Sequence, residues 1–508
     1  MKNSEGIMFR KLPCLLIFSV LLYLNPCLGQ KPPLISQVKA RGNRGPFTVD
    51  FSTYKSEIKY LPIGVFDSGL GGLTVLARII DLDSFDNSTH RPGPDGVPDF
   101  AAERFIYLGD QANMPYGNYP AEGKTEFLRE LALKDAIFLF GRRYWPHEGA
   151  ARPRFDKPPV KAVVIACNTA TAYGLEDLLE AVAEWDLPVY VVGVVDAGAV
   201  GALETIGEQE AVAVMATVGT CSSLGYVRAV GKVSSRRNLN APTVVQQGCL
   251  GLAGAIEGDR AYIMSQGEPE SASYRGPSVS SPLAPLDTAL MEEYGFVPEG
   301  LLGLEEKGSA LRLNSVENYI RYHVLSLVEK YREQGIDQPI GAVILGCTHF
   351  PFYRQNFVNA FDRLRQLTTP AGETPYRAVL SPGISFIDPA EHTALELYTA
   401  LAEKGLLLAG GDIPAVPTDE FYISVPDRSL EEAEFSADGA FTYEYKYGRD
   451  PGRFQLEYVR RVPMHKGNLN AAAIDMIKNK TPELWRRLVL FDRESPRLAG
   501  VPDSLRLQ

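Results

Sequence analysis

Short apolar runs recur along the chain at 63–66, 105–108, 162–166, 189–194, 211–215, 244–245, 342–345 and 384–387. Each is closed by small or polar residues, the mark of strands buried on both faces. Between them, 128–140, 174–185, 252–257, 316–331 and 393–403 carry helical spacing. Strands alternating with helices predict parallel sheets covered by helices. Two runs end alike, in Ala166-Cys167-Asn168-Thr169 and in Gly346-Cys347-Thr348-His349-Phe350-Pro351. Open parallel sheets place their ligand sites at such strand ends. The two cysteines are 180 residues apart, so each is expected in its own lobe. One Cys after a strand is most often core; two matched units with polar followers point to a shared site.

Two other strand ends carry chemistry. The run 63–66 leads into Asp67-Ser68-Gly69-Leu70-Gly71-Gly72 and then a helix start. Glycines there allow positive φ and close backbone approach to a ligand, and the helix N-terminus favours an anion, carboxylate or phosphate alike. The run 105–108 ends at Gly109-Asp110, with Pro115-Tyr116-Gly117 shortly after. Segments 83–103, 141–159 and 258–303 read as insertions. The aspartates of 83–103 lack the spacing of a calcium loop. Asn87-Ser88-Thr89 is a glycosylation sequon, relevant only in a eukaryotic secretory route. After residue 410 the pattern changes: 435–458 alternates aromatic residues, which predicts antiparallel strands, and 470–490 predicts a helix. That tail receives no chemical role.

With 508 residues, 45% of them apolar and 22% charged, the chain is long enough for two domains with sizeable cores. A net charge of −11 without any basic stripe argues against nucleic acid as a partner. Residues 1–29 differ from the rest: Lys2, Arg10 and Lys11 precede the apolar run 12–24, and Pro26-Cys27-Leu28-Gly29 follows. This reads as a signal peptide cleaved after Gly29, with an exported, periplasmic or extracellular product, or a cytoplasmic one if the segment does not work as a signal. Apart from that segment, no membrane contact is expected. Beyond the signal, Cys167, Cys221, Cys249 and Cys347 do not form a disulfide scaffold. A Cys beside His349 without Cys-x-x-Cys or His-x-x-x-His spacing argues against a metal.

Taken together, Gly64-Val65-Phe66-Asp67-Ser68-Gly69-Leu70-Gly71-Gly72-Leu73-Thr74-Val75, Tyr107-Leu108-Gly109-Asp110 with Pro115-Tyr116-Gly117, the two Cys motifs and Ala216-Thr217-Val218-Gly219-Thr220 resemble glutamate racemase. That family belongs to the aspartate/glutamate racemase superfamily. The resemblance covers about residues 61–400 and implies an α/β fold: two doubly wound parallel-sheet lobes with the active site between them, plus a C-terminal extension. The expected divisions are a linker at 30–60, lobe 1 at 61–196 with 383–435, lobe 2 at 197–382 with the insertion 258–303, and the extension at 436–508. The resemblance implies Cys167 and Cys347 as the acid/base pair on opposite faces of the substrate α-carbon, Cys167 serving the D-form and Cys347 the L-form. It implies Asp67, His349 and Glu257 as assisting groups. Ser68, Tyr116, Gly117, Asn168, Thr169, Thr220 and Thr348 would hold the amino and carboxylate groups. No cofactor is implied, neither pyridoxal phosphate nor metal; the partner is glutamate, with homodimer formation left open. The chain departs from the family at Asp388-Pro389, where a Ser is common, and at Ser222-Ser223-Leu224-Gly225-Tyr226 in place of Ser-Gly-Ala-Tyr.

Racemisation takes a proton from one face of a carbon and delivers one to the other. A free thiol, with a pKa of about 8.5, needs a neighbouring base to become the thiolate that does this. Three other readings stay open: a cysteine hydrolase using one thiol, an exported amino-acid-binding protein on the same scaffold, and a racemase for aspartate or another amino acid. The first leaves the second Cys unit without a role.

Overall fold

The computed structural model describes residues 34–35, 45–55, 57–258, 261–264, 274–303, 311–437 and 439–507, with the side chains of Lys55, Glu257, Ala472 and Ala473 outside that description. Residues 1–29, read as the signal, lie outside the described residues, as does part of the linker.

The apolar runs form two sheets. The first contains β1 (Ile63–Asp67), β2 (Phe105–Gly109), β3 (Ala162–Ile165) and β4 (Tyr190–Gly193). The second contains β5 (Ala211–Ala216), β6 (Val244–Gly248), β9 (Ile340–Gly346) and β10 (Leu380–Ile387), in the order β10-β9-β5-β6. A small antiparallel pair, β7 (Leu301–Leu302) with β8 (Arg312–Leu313), lies at the insertion. The first sheet is completed by β11 (Glu420–Pro426) and β12 (Val459–Pro463), giving the order β12-β11-β2-β1-β3-β4. Every pairing in the two large sheets is parallel except β11 with β12. Every residue of β1, β2, β5 and β9 is buried. That explains why these strands read as unbroken apolar runs rather than alternating ones: helices cover both faces. Each fully buried aliphatic side chain contributes about 1.5–3 kcal/mol.

The chain leaves the first sheet after β4, through the helix Val194–Thr205, and returns at Asp388, where the helix Pro389–Glu403 begins. This corrects two boundaries. Residues 383–387, assigned from sequence to lobe 1, belong to β10, which pairs with β9 in the second sheet through Ser385, Phe386 and Ile387. The extension is no appendage: β12 adds a strand to lobe 1, and the helix Pro482–Glu494 packs on the helix Leu73–Ile80.

Two local readings of the tail also change. The aromatic stretch 435–458 holds a short helix, Tyr443–Gly448, and an isolated bridge between Phe435 and Phe441 instead of paired strands. Its rings stack on one another and around Arg449, with Phe127, Phe441 and Tyr458 within about 5 Å of the guanidinium. Cation–π packing, not a ladder, uses those aromatics. The helix expected over 470–490 is two, Ala471–Lys480 and Pro482–Glu494. Pro482 lacks the N–H that would continue the first and is favoured at the start of the second.

Candidate active site

Asp67 ends β1 and Cys167 follows β3, the strand beside it. The Asp67 carboxylate accepts from the N–H of Gly72 at 2.9 Å and of Gly69 at 3.2 Å. The glycines permit this by their lack of a side chain rather than by positive φ. A Cβ on Gly72 would lie 2.4 Å from Asp67 Cβ, and one on Gly71 would lie 2.5 Å from Thr348 Oγ1 in the other lobe. Tyr107 closes the turn by donating its hydroxyl to Gly69 O at 2.7 Å. Asp67 is held above the usual carboxylate range by burial, opposed by the Gly72 N–H and the nearby His349.

Cys167 caps the helix Asn168–Trp185; its Sγ accepts from Ala170 N at 3.4 Å and donates to Ser68 Oγ at 3.5 Å. A helix N-terminus favours a thiolate. Here burial dominates, followed by the Asp67 charge, and the thiol is pushed up to about 12. In the second lobe Cys347 leaves β9, with its Sγ 3.8 Å from His349 Nδ1.

The two units meet. Asn168 of the first lobe and Cys347 and Thr348 of the second line one cavity of about 150 Å³. Thr74 donates to Thr348 O at 2.9 Å, and Thr169 Oγ1 lies 3.2 Å from Thr220 Oγ1. Thr220 also lies 3.0 Å from Thr217 Oγ1, so three hydroxyls cluster where the lobes touch. Gly117 abuts Gly219: a Cβ on Gly219 would fall 2.5 Å from Gly117 Cα.

Two expected residues sit differently. The Tyr116 side chain is fully buried, and its hydroxyl lies 2.6 Å from Asp110 Oδ2 and 2.7 Å from Asp135 Oδ2. With its phenol engaged inside lobe 1, a substrate contact from this residue falls to its backbone. Glu257 ends the helix Leu252–Glu257, but its side chain lies outside the described residues.

Sequence reasoning overlooked Tyr226. Its hydroxyl donates to Asn168 Oδ1 at 2.6 Å across the lobes, and its ring lies against Gly346, next to Cys347. It also missed the pair of Arg78 with Asp388 at 3.1 Å, which ties the helix Leu73–Ile80 to the point where the chain returns to the first lobe. Asp388 also caps the following helix through Ala390 N, with Pro389 at the position proline favours. A Tyr inside a helix and an Arg on a helix surface carry no sign in sequence of partners 58 and 310 residues away.

No family model matches the chain. It is 26% identical over 371 residues to the glutamate racemase of Pediococcus pentosaceus, covering 73% of this chain and 92% of that protein. It is 36% identical over 172 residues to the glutamate racemase of Shouchella clausii, covering 34% of this chain and 47% of that one. The chain resembles the glutamate racemases. Among solved structures, a glutamate racemase isoform of Bacillus anthracis matches with 24% identity and a TM-score of 0.42, covering 72% of this chain and 88% of that one. The resemblance to the racemases spans most of their length, whereas a substantial part of this chain falls outside it.

Proposed function

We propose that the protein interconverts L- and D-glutamate with two thiols and no cofactor. The observation that supports the reading is the pair of strand-end units, Cys167 with Asp67 and Cys347 with His349, on separate sheets, with Asn168 of the first unit and Cys347 and Thr348 of the second lining one interlobe cavity. In the direction from L to D, the Cys347 thiolate takes the α-proton and becomes a thiol. The Cys167 thiol protonates the opposite face and becomes a thiolate. The reverse direction exchanges the roles, and Asp67 and His349 return protons between turnovers. The carbanion-like transition state is met by the preorganised dipoles of Ser68, Asn168, Thr169, Thr220 and Thr348 and by the backbone of Tyr116 and Gly117.

The raised Cys167 thiol suits this cycle. In the free protein it is the proton donor at neutral pH, and the ammonium of a bound amino acid is the charge that would bring it down. Supply of D-glutamate for peptidoglycan, or action on amino acids outside the cytoplasm after export through residues 1–29, belongs to the same proposal. The charge, apolar and small-residue pattern of that segment supports export.

The test is proton NMR in D2O with a panel of amino acids, after dialysis against a chelator and without pyridoxal phosphate. Loss of the α-proton signal of both glutamate enantiomers, with optical rotation decaying to zero, is the expected result. Exchange of aspartate in preference to glutamate, or activity that returns only with pyridoxal phosphate or metal, refutes the reading. A binding protein would exchange nothing.

A further inference from the structure

The turn that carries Gly117 is held from the C-terminal extension at two backbone carbonyls and two side chains. Lys446 Nζ donates to Met114 O at 2.7 Å, and Tyr447 donates its hydroxyl to Pro115 O at 3.2 Å. Asn118 Nδ2 donates back to the Tyr447 hydroxyl at 3.2 Å. Arg449 reaches Asn113 Oδ1 at 2.7 Å and the Tyr119 hydroxyl at 3.0 Å. Asn113 in turn donates to both carboxylate oxygens of Asp110. A second line enters from β12: Arg461 donates to Asp135 Oδ1 at 2.7 Å, and Asp135 meets the Tyr116 hydroxyl. Tyr116 has one hydroxyl proton and two carboxyl neighbours at hydrogen-bond distance, so one carboxyl must carry a proton for both contacts to hold. On its far side the turn bears on the site. Gly117 packs on Gly219 of lobe 2, and Met114 Sδ would lie 2.4 Å from a Cβ on Gly69, in the Asp67 turn.

We propose that the segment 443–463 is a clamp that sets the turn 113–118 against the glutamate site, with Lys446, Tyr447, Arg449 and Arg461 as positioning residues. The proposal rests on the racemase reading above. A turn fixed by side chains more than 300 residues away in sequence keeps its backbone aimed at the substrate without spending binding energy on ordering it. The extension then acts on substrate affinity and leaves the proton transfers to the two thiols.

Tyr447→Phe and Lys446→Met test the clamp with little risk to folding, because each removes polar contacts and retains most of the side-chain volume. Losing one or two hydrogen bonds to the turn should raise KM for glutamate about three- to tenfold, with kcat within about twofold of wild type. Arg461→Met is the stronger perturbation. Asp135→Asn is the rescue variant, since its amide accepts from Arg461 and donates to Tyr116; it should keep KM near wild type, whereas Asp135→Leu should raise it. The control is Arg486→Ala, which loses only its surface pair with Glu483 and should leave KM unchanged. A second readout needs no activity: amide hydrogen exchange of peptides spanning 110–119 should speed up in the clamp variants while β1 and β3 stay protected. Unchanged KM and unchanged exchange in folded Tyr447→Phe and Lys446→Met overturn the clamp. Absence of glutamate exchange in the wild-type protein overturns the racemase reading instead, and the hydrogen-exchange result then decides the clamp alone.

Discussion

In the free protein Cys167 should be a slow nucleophile, and removing Asp67 should make it faster while making the enzyme slower. Burial and the Asp67 carboxylate push the thiol up to about 12, against about 8.5 for an unperturbed one. At about pH 8 the thiolate fraction is then about 10⁻⁴ instead of about one in four, so alkylation slows by about 10³-fold. The same gap is about 5 kcal/mol, a penalty that a bound substrate's positive charge must offset in large part for the thiolate to act as a base. Asp67→Asn removes the second of the two causes and leaves the burial. Iodoacetamide labelling of Cys167, followed by mass spectrometry of its peptide from about pH 6 to about pH 10, should therefore accelerate by about tenfold in Asp67→Asn. Racemisation by the same variant should fall by about 10²-fold or more, because the group that exchanges protons with Cys167 is gone. A general loosening of the site would not move the two rates in opposite directions for this one thiol while leaving Cys249 unlabelled. A wild-type labelling rate for Cys167 that levels off below about pH 9 refutes the reasoning, since it would mean an ordinary thiol. So would an Asp67→Asn variant in which labelling and racemisation both slow.

Two further outcomes follow from the geometry. With a glutamate analogue carrying a β-leaving group, elimination needs only the first proton removal. Cys167→Ser should keep elimination from the L-form and lose it from the D-form, Cys347→Ser the reverse, and both should lose racemisation in each direction; equal loss of all elimination in folded variants sinks the two-base assignment. Lys157 gives a stability test away from the site. Burial in lobe 1 lowers its ammonium to about 7, although it donates to Leu139 O and Pro158 O. Between about 7 and the unfolded value near 10.4, the unfolded chain binds the extra proton, so stability rises with pH across that window and the charging penalty is fully present below it. Lys157→Met should then stabilise the fold at pH 7 and below by about 1–4 kcal/mol, seen as a higher Tm and a flatter Tm–pH curve; a lower Tm at pH 7 would mean that the two carbonyl bonds outweigh the penalty.

Residues whose physics is local were legible, and those whose partners lie far away in sequence were not. The strands of both lobes could be read because burial on two faces demands an unbroken apolar run, and Cys167 and Cys347 because each directly follows one. The glycines of the Asp67 turn could be located, but their cause was misjudged. The space they leave is taken by Asp67 itself and by Thr348 from the other lobe, and a local sequence cannot announce that neighbour. Tyr116 shows the same limit: its motif suggests a substrate contact, while Asp135, 19 residues on, takes the phenol inward. The extension was the least legible part. Its arginines stand among alternating aromatics that mimic strand spacing, and Arg461 finds Asp135 across 326 residues. A buried carboxylate in lobe 1 that receives an arginine only from the chain's end ties that lobe's interior to the extension. Without Arg461, Asp135 would be left as a buried acid that shares the Tyr116 hydroxyl with Asp110 and has lost its cationic partner, and the turn carrying Gly117 would be the first element to give way.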